Sequence, residues 1–133
     1  MKPIHASGKR KGAIARAVVR QGKGSVRVNS IALAAYEPAM ARLKIAESII
    51  LSGAHAGKVD VSVRVSGGGT MGQAEAARLA IARAMLAFTK DKELEKQYLA
   101  YDRHLLVADV RQREVRKPNT HGNARGKVQK SYR

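Results

Sequence analysis

No cysteine and no tryptophan occurs among the 133 residues, and the aromatic set is one Phe and four Tyr. Without thiols there can be no disulfide and no thiolate metal site. With aromatics at only 4%, a core has to be built from Ala, Val, Ile, Leu and Met. Acid is scarce as well: 10 Asp and Glu stand against 26 Lys and Arg, a formal net charge of +16. No apolar run approaches the roughly 18 residues of a membrane-spanning helix. No helical stretch sets a strongly basic face against a bulky apolar one, and the first residues lack a secretory signal pattern. At this length the expectation is one intracellular domain with no membrane partner.

What is present is positive charge at the two ends. Residues 1–27 hold eight Lys and Arg and no acid, residues 28–101 hold nine basic and seven acidic residues, and residues 102–133 hold nine and three. The net charges are therefore +8, +2 and +6 in turn. Ordinary solvated faces mix both signs, so one-sided ends read as surfaces for phosphate. A chain this basic repels itself unless an anion compensates. Nucleic acid supplies that anion, because neutralising phosphates releases condensed counterions.

Along the chain, residues 1–12 show no apolar periodicity, and Ser7-Gly8-Lys9-Arg10-Lys11-Gly12 reads as a flexible basic leading segment. Ala13 to Arg20 reads as a strand, Gln21-Gly22-Lys23-Gly24 as a turn and Ser25 to Asn29 as a second strand, together a hairpin. Glu37-Pro38 opens a helix with Pro38 at its first position, and Ala39 to Leu51 continues it to a stop at Gly53. Its apolar positions are Leu43, Ile45, Ile49 and Ile50, interrupted by Glu47. Val59 to Val65 alternates strictly, four valines on one face and Asp60, Ser62 and Arg64 on the other.

Gly67-Gly68-Gly69-Thr70-Met71-Gly72-Gln73 follows. It lacks the Gly-Lys-Ser/Thr ending of a P-loop and the spacing of a dinucleotide fingerprint. Thr70 and Gln73 have the spacing of a capping box for a helix from Met71 to Phe88. Free backbone N–H groups there suit a phosphate, with Gly68, Gly69, Thr70 and Gln73 as the candidates. In that helix Ala74, Ala77, Ile81, Ala84, Met85 and Phe88 mark one narrow packing face, and Arg78 and Arg83 fall off it. A shorter polar helix spans about Lys92 to Ala100, and Leu105-Leu106-Val107 reads as a last strand. From Arg111 onward eight Lys and Arg face Glu114 alone, with no apolar period, so that stretch cannot fold by itself. Extended, it reaches roughly 70–80 Å.

Catalytic patterns are missing. His5, His55, His104 and His121 have no metal-ligand spacing, and no nucleophile elbow occurs. No enzyme activity, cofactor or metal is expected.

Several motifs in order carry a family resemblance. They are Gly8-Lys9-Arg10-Lys11 with Ala13-Ile14-Ala15-Arg16, Val28-Asn29, Gly67-Gly68-Gly69 with Gly72-Gln73-Ala74, Ile81-Ala82-Arg83-Ala84, Asp109-Val110-Arg111, Glu114, Arg116-Lys117, Ala124-Arg125 and Gln129-Lys130-Ser131-Tyr132-Arg133. Across the whole chain this resembles the universal small-subunit ribosomal protein S nine, and the Ser-Tyr-Arg ending is similar to the archaeal and eukaryotic branch. Gly12 stands where that family usually has Thr, and Asn119-Thr120-His121 is less basic and aromatic than the matching region often is.

The resemblance implies an α/β (α+β) two-layer sandwich with a left-handed βαβ crossover, like the second domain of ribosomal protein S five. Such a crossover runs against the usual handedness. It implies a globular domain over residues 1–109, opened by the basic segment 1–12, and a long extended basic C-terminal tail over 110–133. The implied place is the head of the small ribosomal subunit, with the 3′ major domain of its ribosomal RNA and neighbouring head proteins as partners. The expected contacts to that RNA are Lys9, Arg10, Lys11, Arg16, Arg111, Arg113, Arg116, Lys117, Arg125 and Lys127. Matching the tail position by position implies that Lys130, Ser131, Tyr132 and Arg133 reach the anticodon stem-loop of P-site tRNA. A free architectural DNA- or RNA-binding protein accounts equally for the charge. An RNA-processing enzyme is a third reading, since related left-handed folds include the ribonuclease P protein.

Overall fold

The computed structural model of the chain describes residues 2–126. Expectations for Lys127, Lys130, Ser131, Tyr132 and Arg133 lie outside the described residues. Strict alternation makes the central strand as expected: in β5 (Val59–Ser66) the four valines are buried and Ser62, Arg64 and Ser66 are exposed. Its neighbour β2 (Ala13–Gln21) buries Ala13, Ala15, Ala17 and Val19 and turns Ile14, Arg16 and Arg20 outward. The five-stranded sheet runs in the order β1-β2-β5-β3-β4, where β3 is Val26–Val28 and β4 is Ile31–Ala32.

The leading segment is a strand, not a flexible arm. β1 (Ile4–Arg10) pairs antiparallel with β2 residue by residue, from Ile4 opposite Val19 to Arg10 opposite Ala13. Its inward positions include Ala6 and Gly8, too small to show as an apolar period. Gly8 lies directly under a helix: a Cβ there would collide with the Ala76 carbonyl oxygen and sit 2.8 Å from the Ala80 nitrogen. A strand glycine at such an approach marks close backbone packing.

The expected hairpin of β2 with β3 does not form, because β5 lies between them. The linking residues pair with the start of β5 instead. Gly22 N–H donates to the Lys58 carbonyl and Gly24 N–H to that of Val59, each at 3.0 Å. The Asp60 carboxylate accepts from Lys23 N–H at 2.9 Å and Ser25 N–H at 3.0 Å. β3 then runs parallel to β5, and the two are joined through α1 (Ala39–Leu51), a βαβ crossover.

In α1, Pro38 is the N-cap in extended backbone, one residue before the helix proper. The helix buries Ala41, Ile45 and Ser48, while Leu43 and Ile50 face solvent. The expected apolar face is therefore split, and Ile45 with partly buried Ile49 forms the inward part.

α2 (Thr70–Thr89) crosses the sheet. No capping box forms at its start. Gly69 is the N-cap, with no side-chain cap, and the Gln73 side chain donates to the Gly67 carbonyl at 3.0 Å. Gly67 and Gly68 take positive φ, and a Cβ on Gly68 would lie 2.8 Å from the Ala13 nitrogen. The loop thus seats against the β1–β2 turn, and only glycine tolerates both the dihedral and the approach.

α2 is buried on more than one narrow face, because the sheet, α1 and α3 (Lys92–Tyr101) all surround it. Arg78, expected off the packing face, is 4% exposed. A second apolar cluster joins Ala82, Leu94, Tyr98 and Leu105. The Tyr98 hydroxyl donates to the Ser48 carbonyl at 2.8 Å, and burial pushes its pKa well above the usual phenol range. Leu105 belongs to a 3-10 turn (Arg103–Leu105), not the expected strand, since its side chain fills that cluster.

Residues 110–126 carry no helix or strand. They are not uniformly extended: Lys117 N–H donates to the Asn123 carbonyl and the Thr120 hydroxyl to the Lys117 carbonyl, which folds the chain back. Among the described residues no helix is long and apolar enough to cross a membrane.

Candidate nucleic-acid interface

Helices cover one face of the sheet and leave the other open. Registry across β1, β2, β5 and β3 arranges the open face in rows. One row reads Ser7, Arg16, Arg64; the next reads His5, Val18, Ser62, Arg27. Lys9 stands beside Ile14 in a third row and Arg20 opposite Asp60 in a fourth. Lys9, Arg16, Arg20, Arg27 and Arg64 are all exposed. Among the described residues none of the five pairs with a carboxylate within 4.0 Å. The one acid on this face, Asp60, is engaged with the backbone N–H groups of Lys23 and Ser25, which hold its carboxyl below the usual carboxylate range.

A groove of about 660 Å³ lies at the edge of this face. Lys9, Lys11, Gly12 and Ile14 of the β1–β2 hairpin line one side, and Arg111, Gln112 and Arg113 line the other. Four of the sequence-predicted contacts (Lys9, Lys11, Arg111 and Arg113) therefore meet at one place, with no acid in the lining among the described residues. Lys11 is at the hairpin tip with a positive φ of 53°, and Gly12 beside it lies against Gly68. The loop of Gly68, Gly69, Thr70 and Gln73 thus borders the same corner, and the first turn of α2 holds no acid.

Some candidates, Arg111 of the groove among them, are also engaged within the chain. Arg10 donates from Nε to Glu75 at 2.6 Å and from Nη1 to Asp109 at 2.5 Å, with its side chain only 16% exposed. Arg111 forks onto Asp109, from Nε at 3.1 Å and from Nη2 at 2.8 Å. That guanidinium, then the Arg111 N–H and the Arg10 charge, hold Asp109 far below the usual carboxylate range. Together they anchor the root of the tail beside β1. Arg125 forks onto Glu114, at 2.9 and 2.5 Å. Arg116 and Lys117 are exposed and lie apart from the groove lining.

Arg20 and Arg27 carry no local signal for this surface, and Arg64 alone does not decide whether its strand face meets solvent or RNA. Alternation put Arg64 on a polar strand face, and Arg16 and Arg20 share a face at a spacing of four. What joins them is strand order, which no local pattern carries.

A surface of this kind can hold phosphate: guanidinium is a planar, permanently charged donor fork. Comparison with known proteins is consistent with that chemistry. Residues 8–133 match the family described as Ribosomal protein S9/S16. The chain is 50% identical over 133 residues to the small ribosomal subunit protein uS9 of Methanothrix thermoacetophila, with all of both chains covered. It is 45% identical over 134 aligned residues, again over all of both chains, to the protein of the same name from Methanococcus vannielii.

Proposed function

The chain belongs to the ribosomal protein S9/S16 family, and from that premise we propose that it is a structural constituent of the small ribosomal subunit that binds small-subunit ribosomal RNA during translation. The observation that carries this reading is the open sheet face, whose arginines have no acidic partner among the described residues, continuous with a groove where hairpin and tail cations meet. Lys9, Lys11, Arg16, Arg111 and Arg113 are its RNA contacts on the domain and tail root. Arg116, Lys117, Arg125 and Lys127 continue them along the tail. Arg10 acts mainly by fixing the tail root. The Gly68, Gly69, Thr70 and Gln73 loop offers backbone N–H groups at the same corner. In this reading the chain has no catalytic role.

The finer placement follows the resemblance. Residues 1–109 form the domain, with a βαβ crossover that is left-handed like the second domain of ribosomal protein S five, and residues 110–133 form the tail. The domain sits in the subunit head on the 3′ major domain of the RNA, beside other head proteins in the cytoplasmic ribosome. The tail reaches the anticodon stem-loop of P-site tRNA through Lys130, Ser131, Tyr132 and Arg133. A basic tail that orders only on its partner offsets the lost entropy with phosphate contacts.

Two measurements test this. The full chain is expected to co-sediment with small subunits in high salt. Deleting residues 130–133 is expected to leave that association intact and to weaken P-site tRNA binding by the truncated subunits. Unchanged tRNA affinity would remove the tail assignment and leave the RNA-binding one standing.

A further inference from the structure

Arg16 on β2 and Arg64 on β5 are direct cross-strand partners, both exposed. Directly opposed side chains leave their strands roughly 5 Å apart at Cβ, and like charges so placed disfavour the sheet. Among the described residues no carboxylate relieves them. The row ends in the Ser7 side of β1, beside a shallow cavity of about 250 Å³ lined by His5, Ser7 and Arg16. Two exposed guanidinium forks on directly opposed residues are complementary to one tetrahedral oxyanion, which accepts from both.

Among the described residues the same face lacks what single-stranded bases need. Reading unstacked bases on a sheet depends on aromatic platforms. Here Tyr36 and Tyr98 are buried, Phe88 packs against the core, and Tyr101 lies on α3 in the helix layer. The open face carries Ile14, Val18 and Ala32 as its apolar residues and one ring, His5, on the edge strand. Its remaining side chains are Ser, Lys, Arg and Asp, which suit a phosphate backbone rather than splayed bases.

We infer that Arg16 and Arg64 form a two-residue clamp for one backbone phosphate of double-helical RNA, on the open face of the sheet. The inference rests on the reading of this chain as an RNA-binding ribosomal protein and adds the site, the ligand group and the form of RNA. Arg27, diagonal to the pair across Ser62, extends the contact along the same backbone.

The test uses the full chain with a fully paired 20-base-pair RNA duplex and a 20-nucleotide oligouridine, titrated over a series of KCl concentrations. Variants are Arg16→Gln, Arg64→Gln, the double variant, and Lys92→Gln with Lys96→Gln as a charge-matched control on α3. Thermal unfolding checks that each folds. Each single arginine change is expected to weaken duplex binding about tenfold. It should also flatten the plot of log affinity against log salt by about 1. The double variant should lose less than the product of the single losses, because both groups grip one phosphate. Oligouridine binding should be much less affected. Equal losses from the lysine pair, strictly multiplicative arginine losses, or equal losses on oligouridine would each overturn the clamp while leaving RNA binding intact. Absence of any salt-sensitive RNA binding by the unaltered chain would remove the parent reading and the clamp with it.

Discussion

The two faces of the sheet use the same residue type in opposite ways. On the helix-covered side, guanidinium groups are matched inside the fold. Arg78 bridges α1 and the turn after α3, reaching Glu47 at 2.5 Å and Asp102 at 3.0 Å. Arg83 donates to the carbonyls of Leu106 and Ser7, and Arg10 is shared by Glu75 and Asp109. On the open side, Arg16, Arg20, Arg27 and Arg64 stand in register with no carboxylate in reach among the described residues. A net charge of +16 is therefore a poor measure of what a partner meets. The charge available for binding is what remains after the fold has used some of it, and among the described residues it remains on the open sheet face and at Arg113, Arg116 and Lys117.

The contrast can be broken most strongly at Arg78. Arg78→Ala leaves two partly buried carboxylates without their cation, and about 3 kcal/mol of stability should be lost in urea unfolding. RNA affinity of the fraction that remains folded should not change. Gly8→Ala attacks the same side through packing, because the new methyl meets helix backbone that cannot yield. A loss of about 2 kcal/mol is expected by the same measurement.

The open face should behave in reverse. Arg16→Gln with Arg64→Gln is expected to change stability by less than about 0.5 kcal/mol. The sign should be stabilising at low salt, where the opposed charges repel most, and differential scanning calorimetry at two salt concentrations checks it.

Acid sharpens the comparison with the smallest effect. Backbone N–H groups and arginines hold Asp60 and Asp109 below their ordinary range in the fold. As pH falls, the unfolded chain takes up protons first, so the contribution of these groups is complete above roughly pH 4 and declines below it. Urea midpoints should therefore be flat near neutrality and fall on acidification. Asp109→Asn should make that fall shallower, and Arg64→Gln should leave it unchanged.

Much of the fold is legible in short-range pattern. The valine alternation of β5 and the shorter α3 follow from side-chain period, because each buries one face in a regular register, and the alanine-rich run of α2 marks a helix although its burial extends beyond one face. Elements that depend on distant partners are not legible in local pattern. β1 hides because Gly8 and Ala6 pack by being small. The β2–β3 hairpin looked local, yet Asp60, some 35 residues beyond Ser25, draws the linker onto β5. Thr70 and Gln73 have capping-box spacing, but the Gly67–Gly69 turn sends the Gln73 side chain to Gly67 instead. Gly12 has no tight neighbour, and a Cβ there would meet Gly68 at an ordinary 3.6 Å, so steric need does not explain that glycine.

Sequence alone determined the sign and placement of the charge, since the excess of positive charge at both ends is a property of composition and needs no fold to be read. It also determined the tail's inability to build a core, and the family, through motifs kept in order along the chain. Only the tertiary structure decided which cations are free. Strand order set Arg16 against Arg64 across β2 and β5, and helix packing placed carboxylates around Arg10 and Arg78. Coulomb interactions depend on distance in space, and distance along the chain does not supply it.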